Sequence, residues 1–229
     1  MSMRLWLHSG GAFREAGPEV ADFLGDTRRM LFIPYALHDL GAYVEKVRGL
    51  VEPWGFSIDS PHEADDPRQA VEEAEAIFMG GGNTFRLLTR LIAMDLLDPI
   101  RARVADGLPY LGSSAGSNMA CPTVMTTNDM PIVYPPTFEA LDLIPFQINP
   151  HYMDHDPEST HKGETREQRL TEYHEMNPLP VLGLREGSLV RREGDELELR
   201  GTVGARLFQQ GQPAEEFMPG DRLDFLLES

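Results

Sequence analysis

Short apolar runs alternate with longer segments of helical periodicity over the first 110 residues of this 229-residue chain. The alternation is typical of β-α units wound around a parallel sheet, and it restricts the possible folds more than any other feature. The apolar spacing predicts helices over 40–52, 84–92 and 96–104, the first with Asp39 as its N-cap. The predicted strands of this part are 4–8, 30–34, 56–59, 76–79 and 109–112.

The alternation of apolar runs and helical segments becomes irregular in the second half of the chain. A turn-rich stretch at 126–136 predicts a long loop or hairpin, followed by strands at 146–149 and 181–184 and a helix over 164–173. No internal repeat or break in composition suggests a boundary, so we expect one α/β domain over 1–229, with a mostly parallel central sheet. Runs separated by Gly-Asp or Gly-Gln turns predict antiparallel edge strands at 188–192, 196–200, 203–208 and 221–227.

The net charge, the apolar stretches and the cysteine content of the chain restrict the partners, location and metal sites to be expected. The formal net charge of -17 disfavours nucleic acid and anionic membranes, because both would be repelled. No apolar stretch approaches the length of a membrane span, and the run Leu5-Trp6-Leu7 is too short for a signal-peptide core, so we expect a soluble, cytoplasmic protein. The single cysteine, Cys121, excludes an internal disulfide and a multi-cysteine metal site.

A serine lies between two glycines where a predicted strand gives way to a helix. Gly112, Ser114 and Gly116 form the pattern G-x-S-x-G, which is typical of a nucleophile elbow. Small neighbours are required because the serine occupies a strained turn that exposes its hydroxyl and the next backbone N–H. Ser114 is therefore the first candidate nucleophile, although small-residue patterns of this length also occur in ordinary turns.

A serine nucleophile needs a base, which is most often a histidine. His151 is favoured among seven histidines because it directly follows a predicted strand, and working residues gather at the carboxyl ends of strands in open α/β sheets. A surface loop histidine is an equally good interpretation of His151 from the residues alone. His155 and His161 remain alternatives for the base.

Two acids are candidates for orienting the base. Glu186 follows a predicted strand and is preferred for that reason, whereas Asp129 lies in the turn-rich loop after the elbow. Glu186 is also compatible with a solvated turn residue, and Asp129 with an Asx-turn that organises its own loop.

The glycines Gly80 to Gly82 stand between a predicted strand and a predicted helix. Backbone N–H groups at such a position can receive a negative oxygen, and the Gly82 N–H could form an oxyanion hole together with that of Ala115. A nucleotide-phosphate loop is the competing interpretation, but neither G-x-G-x-x-G nor a G-K-[ST] ending is present. A tight turn whose glycines permit positive φ is compatible with the oxyanion role.

The segment 161–169 is the densest basic group outside the C-terminal strands. Arg166 and Arg169 are three residues apart and would share one face of a helix, where a guanidinium could bind a carboxylate bidentately. A solvated helix face with Glu-Arg pairs is the commoner meaning of such a run.

Four segments of the chain form a combination that is typical of one enzyme family: GSSAGSN at 112–118, TNDMP at 127–131, QINPH at 147–151 and HKGETREQR at 161–169. In residues, order and spacing they resemble the peptidase E family, the α-aspartyl dipeptidases. The likeness extends from the Gly80 to Gly82 loop to about Gly187, which is roughly half of the chain by its motifs. The chain departs from the family at Ser113, where the family's elbow usually has tryptophan, and this bears on the shape of the adjoining pocket.

The resemblance implies a cytoplasmic serine peptidase with a fold similar to class I glutamine amidotransferases, a flavodoxin-like three-layer sandwich. It implies hydrolysis of dipeptides that begin with aspartate, and a possible homodimer. By motif position the family's Ser-His-Glu triad falls on Ser114, His151 and Glu186, and Asp129 matches a family residue also proposed at the site.

The expected reaction is acyl transfer through a serine acyl-enzyme, for which no metal or organic cofactor is needed. We expect Arg166 to bind the carboxylate of a small acidic peptide substrate. Two alternatives remain: a related serine hydrolase acting on another acidic peptide or an aspartate-rich polymer, and a non-catalytic binding protein of the same fold.

Overall fold

The computed structural model describes residues 2–10, 13–156, 158 and 163–228. Its larger sheet has seven strands in the order β3-β2-β4-β5-β1-β8-β9, and the first five strands of the chain are parallel to one another within it, whereas β8 is antiparallel to β1 and to β9. The predicted mostly parallel sheet is therefore confirmed. The seven strands are β1 (Arg4–His8), β2 (Arg29–Ile33), β3 (Ser57–Asp59), β4 (Ile77–Met79), β5 (Tyr110–Ser113), β8 (Ser188–Glu193) and β9 (Glu196–Gly201).

Helices cover both faces of this sheet, which gives the predicted three layers. Side chains alternate between the faces along each strand. Leu5 and Leu7 pack in one buried cluster with α3 to α6, whereas Trp6 packs in a second cluster with α1 and α2. The helices are α1 (Gly17–Leu24), α2 (Leu40–Val51), α3 (Pro67–Glu72), α4 (Thr84–Ala93), α5 (Leu97–Ala105), α6 (Ala115–Ala120) and α7 (Arg166–Met176).

Four strands form a second, smaller sheet that the sequence did not predict as a separate unit. Its order is β11-β10-β7-β6, with β6 parallel to β7 and the other pairs antiparallel. Leu182 and Leu184 of this sheet belong to the same buried cluster as Leu5 and Leu7 of the large sheet. The strands are β6 (Gln147–Pro150), β7 (Val181–Leu184), β10 (Ala205–Phe208) and β11 (Glu215–Phe217).

The C-terminal strand predictions need correction. β8 is an interior strand between β1 and β9, and β10 is interior to the small sheet, so of the three predicted strands that form, β9 alone lies at an edge. The predicted strand at 221–227 is wrong, because Asp224–Glu228 forms a 3-10 helix. Leu223 and Leu226 are fully buried, and their spacing of three residues suits one helical turn. β11, with Glu215 and Glu216 exposed, lacks the apolar alternation that would predict it.

The strand ends determine where a site can form. The carboxyl ends of β1, β4 and β5 meet at one edge of the large sheet, where Ser9, Gly80 and Ser114 follow them. The parallel pair β6 and β7 brings the next residues, His151 and Arg185, out side by side, because Pro150 is paired with Leu184.

None of the helices in the described part of the chain has the length and apolar character that crossing a membrane requires.

Candidate active site

Ser114 stands at a strained turn between β5 and α6. Its φ of 55° and ψ of -110° lie in a region that non-glycine residues rarely adopt, at a cost of about 1–3 kcal/mol. Glycine is required at positions 112 and 116 because other backbone atoms lie too close to leave room for a side chain. A Cβ at Gly112 would lie 2.6 Å from the Gly116 carbonyl oxygen, and one at Gly116 would lie 2.1 Å from the Met79 carbonyl oxygen. The strand-turn-helix geometry is that of a nucleophile elbow.

Ser114, His151 and Glu186 form a continuous chain of hydrogen bonds. The His151 Nε2 atom lies 2.8 Å from Ser114 Oγ, and the His151 Nδ1 atom lies 2.9 Å from Glu186 Oε1. An ionised carboxylate can only accept, so Nδ1 carries the proton and Nε2 is left to accept the proton of the serine hydroxyl. This is the arrangement in which a histidine removes a proton from serine.

The acid of this chain of contacts is exposed to solvent. The Glu186 side chain is 61% exposed and that of His151 is 38% exposed. Water screens the attraction between the two groups, so the charge of Glu186 adds less than that of a buried carboxylate would. The principal effect of Glu186 is therefore geometric, since its hydrogen bond selects the imidazole tautomer.

The segment after β1 holds the backbone and ring of His151. The Ser9 hydroxyl donates to the Leu184 carbonyl and accepts the His151 N–H, both at 2.8 Å. These contacts fix His151 at its φ of 53°. Gly10 lies against the imidazole, and its own N–H donates to His8 Nδ1 at 3.0 Å. No motif in the sequence marks Ser9 and Gly10 as part of the site, although their position at the carboxyl end of a strand is a usable signal.

An ion pair next to the site ties the ends of β6 and β7 together. Arg185, the neighbour of Glu186, donates to both oxygens of Asp154 at 2.7 Å and to both oxygens of Glu216 at 2.9 and 3.0 Å. The Arg185 guanidinium holds the pKa of the Asp154 carboxyl below its usual range. No sequence pattern indicated these contacts, because the three residues come from separate parts of the chain: a loop after β6, the end of β7 and the middle of β11.

Asp129, the alternative acid, bonds to α4, and no hydrogen bond joins it to His151 among the described residues. The Asp129 carboxylate accepts from the Thr84 N–H at 2.7 Å and from the Thr84 hydroxyl at 2.6 Å, at the first residue of α4. Asp129 therefore fastens the loop after the elbow to a helix terminus. The neighbouring Asn128 donates to the carbonyl of Pro150, the residue that precedes His151.

The other histidine alternatives do not join this arrangement. His155 lines a cleft beside α7, and within the described ranges no hydrogen bond links it to Ser114. His161 lies outside the residues that the structure describes.

The glycine loop after β4 passes directly beside Ser114. A Cβ at Gly81 would lie 3.1 Å from the Ser114 Cβ atom. Gly82 has a φ of 128°, and a Cβ there would lie 2.7 Å from Leu37, so the turn requires glycine. The N–H groups of Gly82 and Ala115 donate to no hydrogen-bond acceptor among the described residues. Both N–H groups are therefore available to a ligand oxygen.

Arg166 is the unpaired cation of a cleft of about 410 Å³ near the site. Arg169 pairs with Glu164 at 3.5 Å, whereas Arg166 forms no ion pair among the residues described. Burial lowers the pKa of the Arg166 guanidinium, and the charge of Arg169 adds to this, but arginine remains protonated. Two of its lining residues place the cleft near His151: Met153 follows His151 by two positions, and Asn128 donates to the carbonyl of Pro150, the residue before it. Its lining includes Asn128, Met153, Asp154, His155, Thr165 and Arg166.

The only cysteine is a packed side chain. The Cys121 sulfur accepts the Ile148 N–H at 3.2 Å, and burial raises the pKa of its thiol to about 12.

Across the described ranges, no group of three or more His, Cys, Asp or Glu side chains is arranged to hold a metal ion.

Comparison with known proteins agrees with this geometry. Residues 5–200 match the profile of peptidase family S51. The chain is 51% identical to a protein named peptidase E from Streptomyces coelicolor, over 96% of this chain and 91% of that protein. It is 50% identical to a protein named "probable alpha-aspartyl dipeptidase" from Drosophila melanogaster, over 97% of this chain and 94% of that protein.

A solved structure shares the fold. The structure of a peptidase from an acI-B1 Actinobacterium superposes with a TM-score of 0.70 at 18% identity and covers 97% of each chain. The elbow, the hydrogen-bonded serine and histidine, and the match over most of the chain lead to one conclusion: this chain belongs to peptidase family S51.

Proposed function

We propose that this chain is a serine dipeptidase that hydrolyses dipeptides with an N-terminal aspartate. The observation that carries the proposal is the 2.8 Å contact between Ser114 Oγ and His151 Nε2, with Glu186 on the other ring nitrogen. The names of the relatives support the choice of substrate. Arg166, a cation with no acidic partner among the described side chains, supports an acidic substrate.

The first half of the proposed reaction forms an acyl-enzyme. His151 Nε2 takes the hydroxyl proton as Ser114 Oγ bonds to the carbonyl carbon of the aspartyl residue. The negative charge that develops on the carbonyl oxygen is received by the N–H groups of Gly82 and Ala115. The C–N bond then breaks, and the imidazolium gives its proton to the leaving amine.

The second half repeats the cycle with water. His151 removes a proton from water, whose oxygen bonds to the acyl carbon, and the serine leaves with the proton returned by the imidazolium. Glu186 keeps Nδ1 protonated through both halves, so Nε2 is always the atom that exchanges protons with the reacting groups. The sequence of steps requires no metal or organic cofactor.

The preference for aspartate is assigned to Arg166. The chain carries a formal net charge of -17, which repels an anionic substrate unless a local cation compensates. A guanidinium suits the task because it binds a carboxylate bidentately. Asp154, which lines the same cleft, is already neutralised by Arg185 and does not compete for Arg166.

We further propose that the protein works in the cytoplasm on small acidic peptides and has no nucleic-acid or membrane partner. We also propose a homodimer as its assembly.

The test is hydrolysis of Asp-Leu, Glu-Leu, Ala-Leu and an Asp-initiated tripeptide, followed by release of amino acids. The variants are Ser114→Ala and, as a matched control, Ser57→Ala, which changes an exposed serine on β3. We expect cleavage of Asp-Leu that Ser114→Ala abolishes and Ser57→Ala leaves intact.

The other outcomes separate the alternatives. Cleavage of the tripeptide as fast as of Asp-Leu would favour a broader acidic-peptide hydrolase. Absence of cleavage of every substrate, with no labelling of Ser114 by diisopropyl fluorophosphate, would favour a non-catalytic binding protein.

A further inference from the structure

A partly buried tyrosine on α2, Tyr43, holds the glycine loop on the side away from Ser114. The Tyr43 hydroxyl donates to the Gly81 carbonyl oxygen at 3.0 Å. The ring of Tyr43 meets Phe32 edge-on, with ring centroids 5.0 Å apart and an interplanar angle of 83°. The phenol is therefore fixed both by its ring packing and by its hydrogen bond.

The hydrogen bond to Gly81 also fixes the next N–H group. The peptide unit that joins Gly81 to Gly82 is planar and trans, so its C=O and N–H point in opposite directions. A donor that holds the Gly81 carbonyl on one side of the loop therefore directs the Gly82 N–H to the other side. Gly82 could otherwise rotate readily, because glycine has wide conformational freedom.

Ser114 lies on the side opposite to Tyr43. A Cβ at Gly80 would lie 2.5 Å from the Tyr43 hydroxyl oxygen, whereas a Cβ at Gly81 would lie 3.1 Å from the Ser114 Cβ. Successive Cβ positions of an extended chain point to opposite faces, and these two residues directly continue β4. The Gly82 N–H, which points away from Tyr43, is consequently directed to the face of the loop where Ser114 lies.

We propose that Tyr43 is a positioning residue of the oxyanion hole, which aims the Gly82 N–H at the oxygen that becomes negative during attack by Ser114. The inference rests on the proposed function and deepens it. Tyr43 does not touch the substrate and exchanges no proton. Its role is to prevent the loop peptide from turning over when negative charge develops on the opposite side.

The chemistry of the phenol suits this role. Burial raises the pKa of Tyr43 to about 12. The hydroxyl therefore stays protonated, and remains a donor, at any pH at which the triad can work. A carbonyl oxygen only accepts, so the direction of this hydrogen bond is fixed.

The experiment compares Tyr43→Phe with Tyr35→Phe. Both substitutions remove one tyrosine hydroxyl, but the buried Tyr35 hydroxyl has no hydrogen-bond partner among the described residues, so Tyr35→Phe serves as the matched control. The first readout is the rate at which diisopropyl fluorophosphate labels Ser114. In that reaction the Ser114 Oγ–P bond forms, the P–F bond breaks with fluoride leaving, and His151 takes the serine proton.

We expect Tyr43→Phe to slow labelling by about 10-fold, less than the hundredfold or more that follows removal of an oxyanion donor itself. For Asp-Leu, kcat should fall by a similar factor while KM changes by less than about twofold, because the interaction acts on the transition state. Tyr35→Phe should match the wild type in both readouts. Equal rates for Tyr43→Phe and the wild type, or equal slowing by both substitutions, would overturn the inference.

A second variant decides the matter if Tyr43→Phe does not fold. Incorporation of 3,5-difluorotyrosine at position 43 keeps the shape of the side chain and lowers the pKa of its phenol. Loss of the donor at alkaline pH should then slow labelling at a pH where the wild type remains fast. An alkaline profile identical to that of the wild type would contradict the role of Tyr43.

The labelling readout separates this inference from the choice of substrate. A wild type that is labelled at Ser114 but does not cleave Asp-Leu would refute the aspartyl specificity, and the Tyr43 comparison would still be decided by labelling. A wild type that shows neither reaction would overturn both proposals.

Discussion

Gly10 forms one wall of the position that the His151 imidazole occupies. A Cβ built at Gly10 would lie 2.3 Å from His151 Cε1 and 2.9 Å from Nε2, the atom that faces Ser114. Gly10 also has a φ of 129°, a backbone conformation that residues with a side chain rarely adopt. The absence of a side chain at Gly10 is thus what allows the imidazole to reach the serine.

Gly10→Ala should displace the imidazole and lower kcat by about 100-fold, since a misplacement of about 1 Å is enough for a loss of that size. Gly220→Ala is the matched control, because Gly220 has a φ of 98° but no atom near its Cβ position. Both variants should lose stability from backbone strain, by about 1–3 kcal/mol. Equal kcat values for the two variants, measured on Asp-Leu, would contradict the role of Gly10.

Glu186→Gln should lower kcat by about 100-fold, less than the 10⁴-fold loss known for a buried triad acid. The exposed side chain can turn its amide oxygen towards Nδ1, so part of the protein keeps the correct tautomer. The melting temperature should stay unchanged. A loss as large as that of Ser114→Ala would show that the charge of Glu186, and not its geometry, is decisive.

Asp129→Ala should lower the stability of the fold and leave the tautomer of the His151 imidazole unchanged. Loss of the two hydrogen bonds to Thr84 should lower the free energy of unfolding by about 1–2 kcal/mol, as loss of a helix cap does. Urea denaturation measures this change. An unchanged urea midpoint together with a collapse of kcat would place Asp129 in the reaction after all.

Arg166→Met should raise KM for Asp-Leu by at least about 10-fold while leaving Ala-Leu unaffected, because a charge-assisted pair contributes roughly 1.5–3 kcal/mol. The matched control is Arg169→Met, three residues along α7, whose guanidinium already pairs with Glu164. Equal losses on both substrates, or the same effect from Arg169→Met, would refute the assignment of Arg166.

The stability of the fold should fall in mild acid because of His8. Burial, followed by the charge of His151, lowers the pKa of His8 to about 4, and Glu186 partly opposes this. The unfolded chain binds the proton near the ordinary value of 6.5, so between these values the unfolded state holds more protons than the folded state. Stability therefore decreases as the pH falls through this window, by up to about 3 kcal/mol from this residue.

His8→Leu should remove that part of the pH dependence, measured as urea unfolding at about pH 7.5 and about pH 4.5. His38→Gln, which changes an exposed histidine, should retain the slope of the wild type. The comparison concerns the change in unfolding free energy between the two pH values, because His8→Leu also loses the contact with Gly10. A slope equal to that of the wild type would show that His8 is not responsible.

The local sequence determined most of the elements and the identity of the central residues. The bounds of β1 and β7 agree with their apolar runs, and Asp39 caps α2 as its side-chain type and position predict. The elbow could be recognised because its requirement for small residues is local, within five positions. The family resemblance, carried by the segments 112–118, 127–131, 147–151 and 161–169, was also available from the sequence alone.

Only the tertiary structure decided which residues meet across long distances in the chain. Ser9 and Gly10 hold His151 from about 140 residues away, Tyr43 reaches the glycine loop from α2, and Asp129 binds α4 instead of His151. The division of the later strands into two sheets is of the same kind, because the apolar runs that predict β6 and β7 do not specify which sheet these strands join. Periodicity and short motifs record how a segment packs locally, whereas the partners of a strand end or a loop depend on how all the layers pack together.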